Sequence, residues 1–238
     1  LKVLLDSGDV LVVHLSMTGR FILGSAGGGD ERGVVAGQYV IETGHLPQHD
    51  HVIIETADGL RIVFNDPRRF GYMLLEPEAH IETHVLFRKL GVEPLSNAFD
   101  AATIAQRAQG RRSDLKAFLM DQRIVAGLGN IYVCEALFRA SLSPRRRAGT
   151  IATRSGKANQ HSERLATAIR HVLLEAVDAG GSTLRDYRQP DGAAGGFQDR
   201  HDVYDRAGEP CRKPGCKGVI RRLVQAGRST FCCPKCQT

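Results

Sequence analysis

Six cysteines carry the clearest chemistry in this sequence. Cys211, Cys216, Cys232, Cys233 and Cys236 crowd into the last 28 residues, and Cys134 stands apart. A disulfide framework spreads its cysteines over a secreted domain, so clustering at one end of a cysteine-poor chain reads as a metal site in a reducing compartment. Four residues separate Cys211 from Cys216, two separate Cys233 from Cys236, and sixteen lie between the pairs. Two such knuckles flanking a short hairpin can set four thiolates tetrahedrally around one structural Zn²⁺. Ile220–Val224 and Ser229–Phe231 are the expected strands. So small a module has little core, so the metal would supply much of its folding free energy. Chelation is therefore expected to unfold residues 206–238 and leave the preceding helices largely intact. Cys232 points to the opposite side of its strand from Cys233 and is expected to be a packed free thiol.

Arg212, Lys213, Lys217, Arg221, Arg222 and Arg228 lie in the same module, with no acid between Cys211 and Thr238. That imbalance favours phosphate contacts over a merely solvated face. The whole chain agrees: its formal net charge is +6 and its pI about 9.1. A surplus of this sign favours a polyanion, nucleic acid ahead of an anionic membrane. No apolar run reaches the roughly 18 residues of a membrane span, and no signal peptide is visible.

The elements that must position these groups follow from pattern. Residues 1–96 read as β-rich. Val10–Val13 is an apolar run after the turn Asp6-Ser7-Gly8-Asp9, and His51–Glu55, Ala57-Asp58-Gly59 and Leu60–Phe64 form a hairpin pattern with Asp-Gly at its turn. The glycine-rich stretch Gly24–Gly37 reads as a loop. A linker near Gly91–Asn97 leads to a helical segment, 97–205. Leu115, Phe118 and Leu119 mark one helix face and Ile131, Cys134, Leu137 and Phe138 another, joined through Gly127-Leu128-Gly129-Asn130. A third helix fits Ser162–Ala179 with Gly180-Gly181 as its stop. Residues 188–200, with Pro190, Gly192, Gly195 and Gly196, read as a flexible loop, and 206–238 is the cysteine module.

Taken together, Gly127-Leu-Gly-Asn-Ile-Tyr132 with Glu135–Phe138, and Leu115–Asp121 before them, resemble the helix–two-turn–helix of formamidopyrimidine-DNA glycosylases. His14-Leu-Ser-Met-Thr-Gly19, His49-Asp-His51, Asp66-Pro-Arg-Arg-Phe-Gly71, Gly208–Cys211 and Arg228–Cys233 match the same family in order. Asp66–Gly71 also favours it over the related endonuclease VIII type. The resemblance implies an α+β multi-domain chain: an incomplete N-terminal β-sandwich, a helix–two-turn–helix domain with a lesion-capping loop, and a C-terminal zinc-ribbon hairpin. It implies a monomeric bacterial cytoplasmic enzyme of base-excision repair, a glycosylase and abasic-site lyase. Its partner would be duplex DNA carrying 8-oxoguanine, formamidopyrimidines or abasic sites.

The same resemblance assigns residues. Asn130 and Arg228 would pinch backbone phosphates, aided by the amides of the glycine turn at a helix start. His14, His49, Arg68, Arg111 or Arg112, Tyr204 and Arg222 would add DNA contacts. Met17 and Phe70 would wedge into the stack vacated by the flipped base, and Arg68 would hold the orphaned partner. Arg228 aligns with the residue of the final elimination, and Cys211, Cys216, Cys233 and Cys236 with the zinc ligands. The first knuckle has four intervening residues where many members have two, a turn Pro214-Gly215 can make. The glycine often found before the wedge methionine is Ser16. The family's N-terminal proline nucleophile, its following glutamate and its hairpin lysine have no counterpart in Leu1–Leu5, and Lys2 is out of register. The chain is therefore expected to lack the family's N-terminal end and its catalysis. A damaged-DNA-binding zinc protein without catalysis is the alternative, and a zinc-ribbon RNA-binding protein is a third reading that leaves Asp66–Gly71 unexplained.

Overall fold

Alternating burial along Asp9–His14 sets the first sheet: Val10 and Val12 point inward and are almost fully buried. In the computed structural model, which describes residues 1–16, 18–25, 33–35, 38–40, 46–182 and 195–238, these residues are the centre of an antiparallel sheet. It runs β1 (Lys2–Leu4), β2 (Asp9–His14), β8 (Tyr72–Pro77). Gly8 makes the first turn at φ +82°, where a side chain would be strained. A second antiparallel sheet orders β3 (Arg20–Ser25), β7 (Leu60–Asn65) and β6 (Asp50–Glu55). The hairpin expected at Asp58-Gly59 joins β6 to β7, with Gly59 at φ +85°. β4 (Gly33–Val35) pairs with β5 (Gln38–Val40), so part of the stretch read as a loop is strand. Residues 26–32 and 36–37 of that stretch lie outside the described residues.

Among its described residues the helical segment holds four α-helices: α1 (Ala101–Ala108), α2 (Leu115–Met120), α3 (Asn130–Arg139) and α4 (Gln160–Asp178). α3 is the hub. Six consecutive residues, Val133–Phe138, are buried, as befits a helix covered on all sides. α4 lays Leu165, Ala168, Ile169, Val172 and Ala176 on one buried stripe. Its start is set by Asn159, whose Oδ1 accepts from His161 N at 2.9 Å and Ser162 N at 3.3 Å. The helix thus begins two residues before the expected Ser162. After it, Gly180 and Gly181 both take positive φ.

The described residues divide into two compact units: Leu1–Phe87 with Ala179–Gln198, and Arg88–Asp178 with Asp199–Thr238. The cysteine module therefore shares a unit with the helices. Its strands β9 (Arg221–Gln225) and β10 (Arg228–Cys232) pair antiparallel. Phe231, Ile220, Cys211 and Cys233 form one buried cluster with Cys134 and Phe138 of α3 and with Val203. The module is not the nearly coreless appendage its length suggests.

The loop expected at 188–200 is not uniformly irregular. Residues 188–194 lie outside the described residues. Phe197–Arg200 is a 3₁₀ turn with Phe197 fully buried. Ser182 bridges Gly196, and Gly196 N donates to Ala179 O at 2.8 Å. A Cβ on Gly195 would lie 2.2 Å from Gly181 O, so only glycine allows these two backbones to meet. Among the described residues, no helix is long and apolar enough to cross a membrane.

Candidate nucleic-acid interface and metal centre

In the first unit the candidate residues gather around one buried carboxylate. Asp66 is fully buried and accepts from Thr18 Oγ1, from Gly71 N at 2.8 Å and from Arg68 N at 3.4 Å. Its carbonyl meets His51 Nε2 at 2.9 Å, and its N–H donates to His49 O at 2.9 Å. Burial works to raise the carboxyl pKa, but the Thr18, Gly71 and Arg68 donors outweigh it and hold the group below its ordinary value. Gly71 is required by the packing: a Cβ there would lie 2.7 Å from the Phe64 ring and 2.9 Å from His14 O.

The turn knotted by Asp66 presents its side chains outward. Phe70 is 57% exposed, which rules out the ordinary core role open to a phenylalanine. The Arg68 guanidinium carbon lies 5.0 Å from the Phe70 ring centroid, a cation–π contact. His14 stacks on Tyr72 at 5.3 Å, and its Nδ1 accepts from Ser16 N at 3.0 Å. Ser16 sits at φ +58°, the left-handed region, which explains why glycine suits this position. His49 is half-buried at the end of a 3₁₀ turn. Met17 lies outside the described residues.

In the second unit the focus is Ser229 O, which accepts from both Lys116 Nζ at 3.1 Å and Asn130 Nδ2 at 3.0 Å. Lys116 Nζ also donates to Thr230 Oγ1 at 2.7 Å, and Asn130 Nδ2 to Tyr204 Oη at 3.2 Å. Lys116 is almost fully buried, and desolvation, with Arg228 nearby, lowers its pKa. Asn130 is the first residue of α3. Gly129 holds the N-cap position, with no side-chain cap bond, so the capping role open to Asn130 is not the one it takes. Arg222 Nε donates to Ser229 Oγ at 3.0 Å. Ala226 and Gly227, at φ +48° and +73°, make the two-residue hairpin turn that sets exposed Arg228 at the start of β10.

Glu135 underpins this cluster. Its buried carboxylate accepts from the backbone N–H of Asp202, Val203 and Tyr204 at 2.8, 3.0 and 2.8 Å. That fixes the Tyr204 ring 4.8 Å from Phe231. Burial pushes the Glu135 pKa up, opposed by the three N–H groups. Sequence reasoning passed over Glu135 and Lys116. The only signal was a charged residue at a core-facing helical position, which becomes informative once the apolar stripe is drawn. Two cations of the cysteine module are tied to the rest of the unit: exposed Arg212 donates to His201 O at 2.7 Å, and half-buried Lys213 to Ser141 Oγ. Arg111 and Arg112 line a separate concavity.

The four expected ligands converge. The Sγ atoms of Cys211, Cys216, Cys233 and Cys236 all lie within 4.8 Å of one another, with 3.7 Å for Cys211–Cys236 and for Cys216–Cys233. Tetrahedral thiolates about 2.3 Å from Zn²⁺ would be about 3.8 Å apart, so the donor set fits a four-coordinate ion. A Cβ on Gly218 would lie 2.5 Å from Cys233 Sγ and 3.2 Å from Cys216 Sγ, so this position must be glycine. Gly215, at φ +76°, makes the longer first knuckle. Cys232 is buried and outside the group, and burial raises its pKa. Cys134 is likewise buried, its pKa pushed up to about 11.

Family models match in two stretches: residues 1–73 to the formamidopyrimidine-DNA glycosylase N-terminal domain and residues 90–188 to the formamidopyrimidine-DNA glycosylase H2TH domain. The formamidopyrimidine-DNA glycosylase of Chelativorans sp. (strain BNC1) is 55% identical over 237 residues, which span 98% of this chain and 78% of that protein. This chain belongs to the formamidopyrimidine-DNA glycosylase family. Among solved structures, the MutM (Fpg) protein of Thermus thermophilus is 41% identical with a TM-score of 0.78, covering 99% of this chain and 78% of its own. A Lactococcus lactis Fpg mutant in complex with DNA containing Fapy-dG is 30% identical with a TM-score of 0.75, covering 97% and 75%. The glycosylase family thus accounts for both the α+β fold and the four-cysteine cluster.

Proposed function

We propose that this chain provides the DNA-holding and base-extruding parts of a base-excision repair glycosylase for oxidised purines in duplex DNA, with Zn²⁺ as its structural metal. The observation that carries the reading is Phe70: a large ring, mostly exposed, on a turn fixed by a buried carboxylate and backed by Arg68. An exposed aromatic on a rigid turn contributes little to folding, whereas a ring held in this way can enter a base step and offset local unstacking by filling the gap. Arg68 beside it offers paired donors to the orphaned base. Formamidopyrimidine and 8-oxoguanine lesions are the substrates the family membership favours.

The phosphate roles rest on chemistry in the second unit. Tyr204 Oη accepts from Asn130, which leaves its own proton to donate to a phosphate oxygen. A Cβ on Gly129 would meet nothing within 4 Å, and its φ of −95° suits any residue, so the fold makes no demand for glycine there. Close approach of a phosphate to the start of α3 does make one. Exposed Arg228 and Arg222 add charge at the same hairpin, and His14 and His49 flank the Phe70 turn. In the proposed reaction a proline amine displaces the base at C1′, and β- and δ-elimination follow, with Arg228 serving the last step. The parts of that reaction assigned to residues 1–238 are the grip on the duplex, the extrusion of the damaged nucleotide and the Arg228 step.

Binding to an abasic-analogue duplex as a function of salt tests this reading. Arg228→Ala is expected to reduce the slope of log K against log[salt] by about 0.9, the release associated with one cation–phosphate contact, and the uncharged change Asn130→Ala to weaken binding at every salt concentration with little change of slope. An unchanged slope in Arg228→Ala together with unchanged affinity in Asn130→Ala would reject the phosphate roles.

A further inference from the structure

Four arginines converge on one concavity of the helical unit. Arg111, Arg112, Arg147 and Arg154, with Thr150 and Thr153, line a hollow of about 420 Å³ that has no acidic residue in its wall. All four side chains are exposed, and none is within ion-pair distance of a carboxylate among the described residues. The nearest influence is Asp121 on Arg111, and Asp121 is already gripped by Arg123 through Nε–Oδ1 at 2.8 Å and Nη2–Oδ2 at 2.7 Å.

The hollow is also a built one. Gly149 N donates to Arg111 O at 2.9 Å, Ala148 N to Ser113 O at 2.9 Å, and Gln109 Nε2 to Arg154 O at 2.8 Å. A Cβ on Gly149 would lie 2.8 Å from Arg111 O, so the segments bearing Arg111 and Arg147 can approach this closely only with glycine at 149. Two separate stretches of chain, 109–113 and 147–154, are thus fastened together with their cations facing one space. Like charges held this way repel, a cost that a polyanion removes.

We infer that this hollow is a second phosphate site, in which Arg112, Arg147 and Arg154 extend the grip of Arg111 along the backbone of the duplex flanking the lesion. The inference rests on the proposed function, because it takes Arg111 as a DNA contact. Planar guanidinium forks suit phosphodiester oxygens, and threonine hydroxyls can complete the coordination. Nothing in the hollow reads a base: its exposed donors serve any sequence and would lengthen the footprint without adding lesion preference.

The test is a salt titration of binding to an abasic-analogue duplex of roughly 30 base pairs, about three helical turns. The double variant Arg147→Ala with Arg154→Ala is expected to lower the salt slope by about 1.8, near 0.9 for each lost contact. Its thermal midpoint should stay at the wild-type value, since neither side chain has a hydrogen-bond partner among the described residues. The charge-matched pair Arg88→Ala with Lys89→Ala should leave the slope nearly unchanged, and Arg147→Lys with Arg154→Lys should largely keep the wild-type slope. An unchanged slope in the Arg147/Arg154 variant, or an equal fall in the Arg88/Lys89 control, overturns the inference. Run alongside, Arg228→Ala separates the two ideas: if its slope falls and that of the Arg147/Arg154 variant does not, only the second site fails; if neither falls, the broader phosphate reading fails with it.

Discussion

Stripping the metal from this protein is expected to abolish duplex binding as well as to melt its hairpin. Structural zinc contributes on the order of 10 kcal/mol in isolated finger modules, more than the total stability of many domains. Here the ligands Cys211 and Cys233 belong to the same buried cluster as Cys134 and Phe138 of α3. Without the ion, four thiols must repack within a cluster built around close sulfur contacts. β10 would then release Ser229 O, the shared acceptor for Lys116 and Asn130. Loss of order should therefore spread from the hairpin to the start of α3. Hydrogen exchange with and without a chelator should show protection lost over 206–238 and also over 128–136, with duplex affinity falling at least about 100-fold. Protection lost only in the hairpin would restore the view of the ribbon as a separable module.

Glu135→Ala should be the most damaging single substitution away from the cysteines. It orphans the N–H groups of Asp202, Val203 and Tyr204, which converge on a fully buried side chain. At about 1–3 kcal/mol for each buried unsatisfied donor, the loss is expected to reach about 3–5 kcal/mol. Glu135→Gln keeps one acceptor oxygen but turns an amide NH₂ toward a donor, so it should cost less, about 1–3 kcal/mol. Denaturant midpoints for the two variants should fall in that order. A Glu135→Ala protein within about 0.5 kcal/mol of wild type, the scale of an ordinary surface change, would mean the carboxylate does not organise the 202–204 segment.

Much of this was legible in the residue pattern, for identifiable reasons. Asp58-Gly59 and Gly8 mark turns because left-handed backbone is cheap only for glycine. The cysteine spacing marks a metal site because four thiolates around one ion leave little geometric choice. α1 has a cap, Asp100 Oδ1 accepting from Thr103 N at 2.7 Å, and a regular buried face of Ala101, Ile104, Ala105 and Ala108, but with Ile104 its one large apolar residue that face is hard to tell from a polar segment in sequence. The cations of the cysteine module look alike in sequence, yet Arg212 and Lys213 are tied to His201 and Ser141 outside the module while Arg222 bonds within the hairpin. Only tertiary neighbours decide that. The same holds for Lys116, whose burial depends on acceptors more than a hundred positions away. The assembly of Arg111, Arg112, Arg147 and Arg154 also depends on backbone pairing between distant segments.

If the chain grips duplex DNA as proposed and the Phe70 ring enters the base stack, a base opposite the lesion must lose its stacking partner. Fluorescence of 2-aminopurine, placed opposite a tetrahydrofuran abasic analogue, reports that event directly, because the base brightens on unstacking. Saturating wild-type protein is expected to raise the signal, and Phe70→Ala to bind with the same salt slope and leave the signal at its free-duplex level. An equal rise with Phe70→Ala, or no binding by the metal-loaded protein at low ionic strength, would contradict the account.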